Sequence, residues 1–273
     1  MRIHHALTRD AERPLVLAIG FFDGLHRGHR ELARKAFRLR RPGWRSGVLT
    51  FANHPAMHLR PGTEPPLICT PQERLRLFAS AGFEECFFVT FDDAIATLSP
   101  EAFLKILVER LGVRGVVVGT TFRFGHRREG DVELMRSFFA ERGVQLVCIE
   151  PVSEGGERIS STRIRALIGE GDVARADELL GGTGYTLGGV VEIGAGRGHA
   201  LGFPTANIAV PAKLLPADGV YAAIARYDGR DYPGLVSIGT NPQFGGGART
   251  VEAWLRDFQH TIYGHELMLR ELR

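Results

Sequence analysis

Five short apolar runs punctuate the first two-thirds of the chain: Leu15–Ile19, Gly47–Phe51, Cys86–Phe91, Gly115–Gly119 and Val144–Ile149. They are nearly continuous in apolar residues rather than alternating. A strand that is apolar on both faces has to be covered on both, which is the situation of a parallel sheet between helix layers. The segments between the runs carry helix punctuation. Gly28 to Leu39 is followed by Arg41-Pro42-Gly43; Thr70-Pro71 opens a helix to about Ala81; Ser99-Pro100 opens another to Leu111; Asp131 to Arg142 reads as helix. Strand and helix in regular alternation predict an α/β fold, a doubly wound parallel sheet. Its ligands are expected beyond the carboxyl ends of the strands.

The texture then changes. Ser161–Leu167 and Val173–Leu180 read as two further short helices, and Gly181-Gly182-Thr183-Gly184 forms a hinge. After it come β-rich runs broken by glycine and proline: Tyr185–Ile193, Gly219–Tyr227, Gly234–Ile238 and Thr250–Phe258. That pattern predicts a small antiparallel barrel or sandwich. The expected domains are 1–182 and 183–273, and 273 residues suit two modest domains.

Composition removes several function classes. The formal net charge is +3, and the two expected domains carry 26 basic against 23 acidic residues and 8 against 8, so neither has the basic excess of a nucleic-acid binder. The densest basic stretch, Arg34, Lys35, Arg38, Arg40, Arg41 and Arg45, reads as the solvated end of a helix, with phosphate contact as the alternative. No apolar run is long enough to span a bilayer, and the N-terminus lacks the apolar core of a signal peptide. Three scattered cysteines form no disulfide framework, so a reducing cytoplasm is the expected compartment. The three lysines follow no glycine, which excludes a Walker P-loop. A G-x-G-x-x-G after the first strand, zinc-ligand spacings and G-x-S-x-G are likewise missing.

The motifs that remain concern phosphate. The first strand runs into Gly20-Phe21-Phe22-Asp23-Gly24-Leu25-His26-Arg27-Gly28-His29. Histidines three apart share one face of a helix start, where backbone N–H groups and the helix dipole favour an anion. Gly28 removes a side chain where a phosphate would approach. His26 and His29 can donate to charge growing on a transferring phosphoryl group. The plain alternative is a surface turn with two exposed histidines. Ser160-Ser161-Thr162-Arg163-Ile164-Arg165 offers helix-start hydroxyls and a guanidinium fork, or simply a capped helix. Phe122 and Phe124, after the fourth strand, could sandwich a flat ring or pack in the core. Phe51 and His54 end the second strand at the same edge. Beyond the hinge, Gly196 to Asn207 is glycine-rich, and Thr205 with Asn207 presents two neutral oxygens to a hard cation such as Mg²⁺. Glu252 sits in a strand-like apolar run, either outward-facing or a general base.

Together these segments resemble the bacterial bifunctional riboflavin kinase/FMN adenylyltransferase family, also called FAD synthetases. Gly20-x-Phe22-Asp23-Gly24-x-His26-x-Gly28-His29 and Ser160-Ser161-Thr162-x-Ile164-Arg165 look like the two adenylyltransferase signatures. Gly202-Phe203-Pro204-Thr205-Ala206-Asn207 is similar to the flavokinase signature, and Ser237 to Pro242 and Thr250-Val251-Glu252 follow in the family's order. The resemblance implies a nucleotidylyltransferase-type α/β domain followed by a six-stranded barrel. It implies two reactions: ATP phosphorylates riboflavin to FMN, and a second ATP adenylylates FMN to FAD, releasing pyrophosphate.

By the same resemblance, His26, His29 and Arg165 are catalytic in the second reaction and Glu252 in the first. Gly20, Phe22, Asp23, Gly28, Ser161 and Thr162 belong to the nucleotide site. Phe51, His54, Phe122 and Phe124 belong to its flavin side. Gly202, Thr205 and Asn207 serve the kinase, with Mg²⁺ on Thr205 and Asn207. The partners implied are riboflavin, FMN and ATP, with neither nucleic acid nor membrane. The chain departs from the family pattern at Thr121, where members carry aspartate or asparagine. It also ends at Arg273, where members continue with a helix on the barrel. That shorter barrel sets up the alternative expectation of an FMN adenylyltransferase with a weak or inactive kinase.

Overall fold

A computed structural model describes residues 1–9, 13–182, 184–193, 205–240 and 249–273. The chain forms two compact units: Met1–Pro65 with Pro71–Ile159, and Pro66–Thr70 with Ser160–Arg273.

In the first unit the strands of the main sheet are β1 (Arg2–His4), β2 (Leu15–Ile19), β3 (Arg45–Phe51), β4 (Glu85–Val89), β5 (Val113–Gly119) and β6 (Gln145–Ile149). They form one parallel sheet in the order β1-β4-β3-β2-β5-β6. The helices are α1 (Arg27–Leu39), α2 (Pro55–Leu59), α3 (Pro71–Ser80), α4 (Asp93–Ala96), α5 (Pro100–Lys105) and α6 (Val132–Ala140). Every residue of β2 and β4 is buried. The reason is a core on each side. Val16 and Ala18 of β2 pack with Leu32, Ala33 and Ala36 of α1 and Phe78 of α3. Leu15, Leu17 and Ile19 pack with Phe103 and Leu104 of α5 and Met135 and Phe139 of α6. The doubly wound sheet expected from the apolar runs is the fold.

Three details differ from expectation. The sheet gains β1 at its edge, a short strand with no apolar run to announce it. Its His4 Nε2–H donates to the buried Glu85 carboxylate at 3.0 Å, and its ring stacks on Phe87 at 4.6 Å between centroids. The helix expected to run to Leu111 changes to π-type bonding over Ile106–Arg110. A two-strand hairpin, β7 (Ser153–Glu154) with β8 (Glu157–Arg158), follows β6. The basic cluster on and after α1 is partly tied down: Arg34 to Glu31, Arg40 to Glu84 and Arg45 to Glu85.

The second unit begins with α7 (Ser161–Glu170) and α8 (Val173–Leu180), each ending at a left-handed glycine, Gly171 and Gly181. The barrel follows, with described strands β9 (Leu187–Glu192), β10 (Thr205–Ala209), β11 (Gly219–Tyr227), β12 (Arg230–Thr240), β13 (Arg249–Leu255) and β14 (Glu266–Arg270). They close antiparallel in the order β10-β13-β12-β11-β14-β9. Two of the six, β10 and β14, lie outside the four β-rich runs read from the sequence. The expected boundary at 182/183 falls inside this unit. Asp177 of α8 accepts the Tyr185 N–H, and the Tyr185 hydroxyl donates to the Leu214 carbonyl. The Leu214 N–H donates to the Leu67 carbonyl at 2.8 Å, which brings the Pro66–Thr70 segment into the same unit.

Candidate active sites

β2 and β5 are neighbours at the centre of the sheet, and the chain winds away from them in opposite directions. The crevice beyond their carboxyl ends is the position where such sheets bind ligands. The β2–α1 turn occupies it.

This turn is built tightly. Phe22 and Leu25 have left-handed φ of 56° and 41°, flanking Gly24 at 88°. Side-chain-bearing residues there cost of order 1–3 kcal/mol each unless their surroundings hold them. The Phe22 ring is held by Phe78 at 5.7 Å and His29 at 5.0 Å. Asp23 is buried. His26 is the N-cap of α1: its Nδ1 accepts the His29 N–H at 3.3 Å. Histidine is not a usual capping residue. Taking the cap places the proton of a neutral His26 on Nε2. The His29 ring stacks on His26 with centroids 3.6 Å apart and planes at 16°. Burial, and secondly the neighbouring His26, hold His29 well below the usual histidine range. Its Nδ1 is buried and has no hydrogen-bond partner. So the histidines are not two exposed side chains of a surface turn; they are a stacked pair, with His29 neutral at pH 7.

The glycines of the turn fit this packing. A Cβ on Gly28 would stand 3.1 Å from His26 Cε1 and 3.2 Å from its Nδ1, so Gly28 first makes room for the capping ring. A Cβ on Gly20 would meet the Phe22 ring at 3.2 Å.

At the neighbouring strand end, His54 caps α2, accepting the Ala56 N–H at 3.1 Å, and meets the Phe21 ring edge-on at 4.7 Å. Phe51 lies edge-on to Phe91 at 5.0 Å. After β5, Phe124 is only 7% exposed and packs on Phe103 in the core, so it is a core residue first. Phe122 stacks on it at 5.8 Å and stays half-buried. A residue that the motifs do not mark is Arg74, which is fully buried under this edge and bonded to the carbonyls of Phe21 and Ala52. One signal could have found it: Arg74 stands one helical turn before Phe78, on the buried stripe of α3.

In the second unit, Ser160 supplies the α7 cap, its Oγ accepting the Arg163 N–H at 3.3 Å. Ser161 and Thr162 are the first two residues of the helix, and Thr162 is exposed. Arg165 donates through Nε to the Pro66 carbonyl at 2.8 Å.

On the barrel, Ile208, Val251, Ala253 and Leu255 are buried, so the alternate residues Thr205, Asn207, Glu252 and Trp254 share the opposite face of β10 and β13. Asn207 is directly opposite Glu252, and Glu252 is opposite Ser237 of β12. Thr205 Oγ1 lies 3.5 Å from Glu252 Oε2. This brings Thr205, Asn207 and Glu252 together as expected. Their oxygens fit a hard cation that keeps phosphate ligands of its own, such as Mg²⁺. Gly202, the rest of Gly196–Pro204, and Asn241 with Pro242 lie outside the described residues.

Comparison with known proteins identifies the family. A family model described as FAD synthetase matches residues 8–163, and one described as riboflavin kinase matches residues 181–273. A bifunctional riboflavin kinase/FMN adenylyltransferase of Listeria monocytogenes is 34% identical over 98% of this chain and 87% of its own length. The protein of the same description from Escherichia coli K12 is 33% identical over 97% of this chain and 85% of its own. A crystal structure of a Streptococcus pneumoniae protein described as a macrolide-efflux protein superposes with a TM-score of 0.88 at 30% identity, covering 98% of this chain and 88% of that one. Among the described residues, no helix is long and apolar enough to cross a membrane. With both family models matched in order and relatives aligned along nearly its whole length, the chain belongs to the bifunctional riboflavin kinase/FMN adenylyltransferase family.

Proposed function

We propose that the chain converts riboflavin to FMN and FMN to FAD, each step consuming one ATP. The observation that carries the second step is the stacked pair His26–His29 at the crevice of the sheet. In the first step, the ribityl 5′-hydroxyl of riboflavin attacks the γ-phosphorus of ATP. A P–O bond forms there, the β–γ bridge breaks, ADP leaves, and the hydroxyl proton passes to the Glu252 carboxylate. Thr205 and Asn207 would hold Mg²⁺, which would supply neutralisation of phosphate charge. In the second step, a phosphate oxygen of FMN attacks the α-phosphorus of ATP, and pyrophosphate leaves. His26 offers the Nε2 proton that its cap fixes in place. His29 waits uncharged, and an arriving polyphosphate favours its cationic form. Such a pair meets developing negative charge without having to reorganise first.

The assignment of Ser161, Thr162 and Arg165 to the ATP phosphates, of Gly20, Phe22, Asp23 and Gly28 to the nucleotide site, and of Phe51, His54 and Phe122 to its flavin side, rests on the resemblance of their motifs. Phe124 supports that wall from beneath. The functional division at 182/183 rests on the same motifs, and a cytoplasmic location on the cysteine usage. A kinase-silent chain is not favoured, because the kinase model matches to Arg273 and Glu252 stands beside Thr205 and Asn207. The test is product analysis after incubation with ATP, Mg²⁺ and either riboflavin or FMN. Riboflavin should yield FMN and then FAD. FAD from supplied FMN alone, with riboflavin untouched, would leave only the adenylyltransferase.

A further inference from the structure

Arg74 sits on α3 with none of its surface exposed. Its Nη1 donates to the Phe21 carbonyl at 3.0 Å, and its Nη2 to the Ala52 carbonyl at 2.8 Å. Thr50 Oγ1 donates to the same Phe21 carbonyl at 2.8 Å and lies 3.5 Å from Nη1. The guanidinium carbon stands over the Phe21 ring at 4.6 Å and the Phe88 ring at 5.1 Å. One planar fork thus ties the chain leaving β2 to the chain leaving β3. A lysine would present its donors from one nitrogen rather than from the two fixed nitrogens of a planar fork.

The position of those carbonyls matters. Phe21 immediately precedes Phe22, whose left-handed backbone begins the strained turn that ends in His26 and His29. Strain of that kind persists only where neighbours over-determine it. Two donors on the Phe21 carbonyl and the Phe78 ring against Phe22 do so from the same helix and strand layer. Ala52 lies between Phe51 and His54, and the Phe21 ring meets His54 edge-on. The same side chain therefore fixes both the histidine turn and the flavin-side strand end.

We propose that Arg74 is a positioning residue for adenylyl transfer, holding the His26–His29 pair and the Phe51–His54 segment in register through the Phe21 and Ala52 carbonyls. It touches no reacting atom. This rests on the role proposed for the histidine turn in FAD formation.

The experiment compares Arg74→Met and Arg74→Lys with the unaltered full chain. Two readouts are taken: kcat for FAD formation from FMN and ATP, and the titration of His29 by NMR of histidine-labelled protein. Riboflavin phosphorylation and a thermal melt report folding. Arg74→Met should lower kcat for adenylylation roughly 10- to 100-fold, the scale of a misplacement of about 1 Å, with riboflavin phosphorylation within twofold. His29 should titrate nearer the ordinary histidine range as the turn loosens, a change that mere loss of stability would not produce in the folded protein. Arg74→Lys, which keeps the charge and can reach one carbonyl, should fall between. If Arg74→Met does not fold, Thr50→Val, which removes the other donor to Phe21, carries the same readouts with a smaller expected loss. Folded variants with kcat within twofold and an unmoved His29 titration would overturn the proposal. Failure of the unaltered chain to make FAD from FMN would instead overturn the functional reading, while the His29 titration would still report whether Arg74 holds the turn.

Discussion

The histidine turn and the barrel trio, both proposed to serve phosphorus chemistry, stand in opposite surroundings. His26 is buried, stacked on His29 and locked into a helix cap, in a turn where two side-chain-bearing residues adopt left-handed backbone. Thr205, Asn207 and Glu252 are half-buried on an ordinary antiparallel strand face, brought together by register alone. The first arrangement needs strain and packing to exist. The second needs only that β10 and β13 pair without a slip, since a one-residue shift would turn a whole strand's side chains to the other face. The two sites therefore differ in what they can tolerate: the turn should be sensitive to its supports, and the strand face only to its own functional groups.

The sharpest way to test that separation is Glu252→Gln. It keeps the shape and the strand pairing but removes the base. FMN formation should fall by about 10³-fold, within the usual span for a general base. FAD formation from supplied FMN should not change. His29→Ala is the mirror experiment. Removing one preorganised group from the turn should cost about 10²-fold in FAD formation, with FMN formation intact. If either substitution silenced both steps to the same degree, the two sites would not be independent constructions.

How far the sequence discloses this depends on the same contrast. β2 to β6 are legible because burial on both faces writes continuous apolar runs. β1 is not, since Arg2-Ile3-His4 is an edge strand held by one register of pairing and the His4–Glu85 contact. β10 is hidden because Thr205-Ala206-Asn207 reads as motif and turn chemistry. β14 is hidden because Glu-Leu-Met-Leu-Arg suits a helix as well as a strand. The location of the histidine turn at the sheet edge follows from strand order. Its capping and stacking do not, because no propensity marks histidine as a cap and no local pattern records a contact to α3. Arg74 escapes for the same reason: a cation in a helix is read as solvent-facing by default. On the barrel, the alternation Val251-Glu252-Ala253-Trp254-Leu255 places Glu252 outward, and only the register with β10 brings Thr205 and Asn207 beside it.

Gly28→Ala examines the tolerance of the turn at a finer scale. Alanine in place of glycine at an exposed-type helix position gains stability of up to about 1 kcal/mol. Here the new Cβ would stand 3.1 Å from the His26 ring, which must give by a few tenths of an ångström and carry the stacked His29 with it. The expected outcome is a melting temperature equal to or above that of the unaltered chain, with FAD formation reduced roughly fivefold, in the range of a small displacement of a positioned group. The barrel offers no such split, so a substitution of Ser237, exposed beside Glu252, should leave the melting temperature and FAD formation from FMN unaltered. Unchanged adenylylation in Gly28→Ala would mean that the capping ring has slack.

The smallest effect is one of pH, and it distinguishes the buried site from the open one without any substrate. In the folded protein His29 is held neutral well below the ordinary histidine range, by burial first and by His26 second. In the unfolded chain it protonates near the ordinary value of about 6.5. Between those two points the unfolded state binds the extra proton, so stability rises with pH there. The contribution of His29 is therefore fully present above about 6.5, declines as the pH falls below it, and levels off once the folded-state value is passed. Urea melts of the unaltered chain and of His29→Gln, taken at intervals from neutral pH downward, should show a steeper acid loss in the unaltered chain, by up to one proton's worth of slope. The difference between the two proteins is the measured quantity. Parallel curves would mean that His29 takes up its proton as readily folded as unfolded, and the neutral waiting ring assigned to the adenylyl site would have to be abandoned.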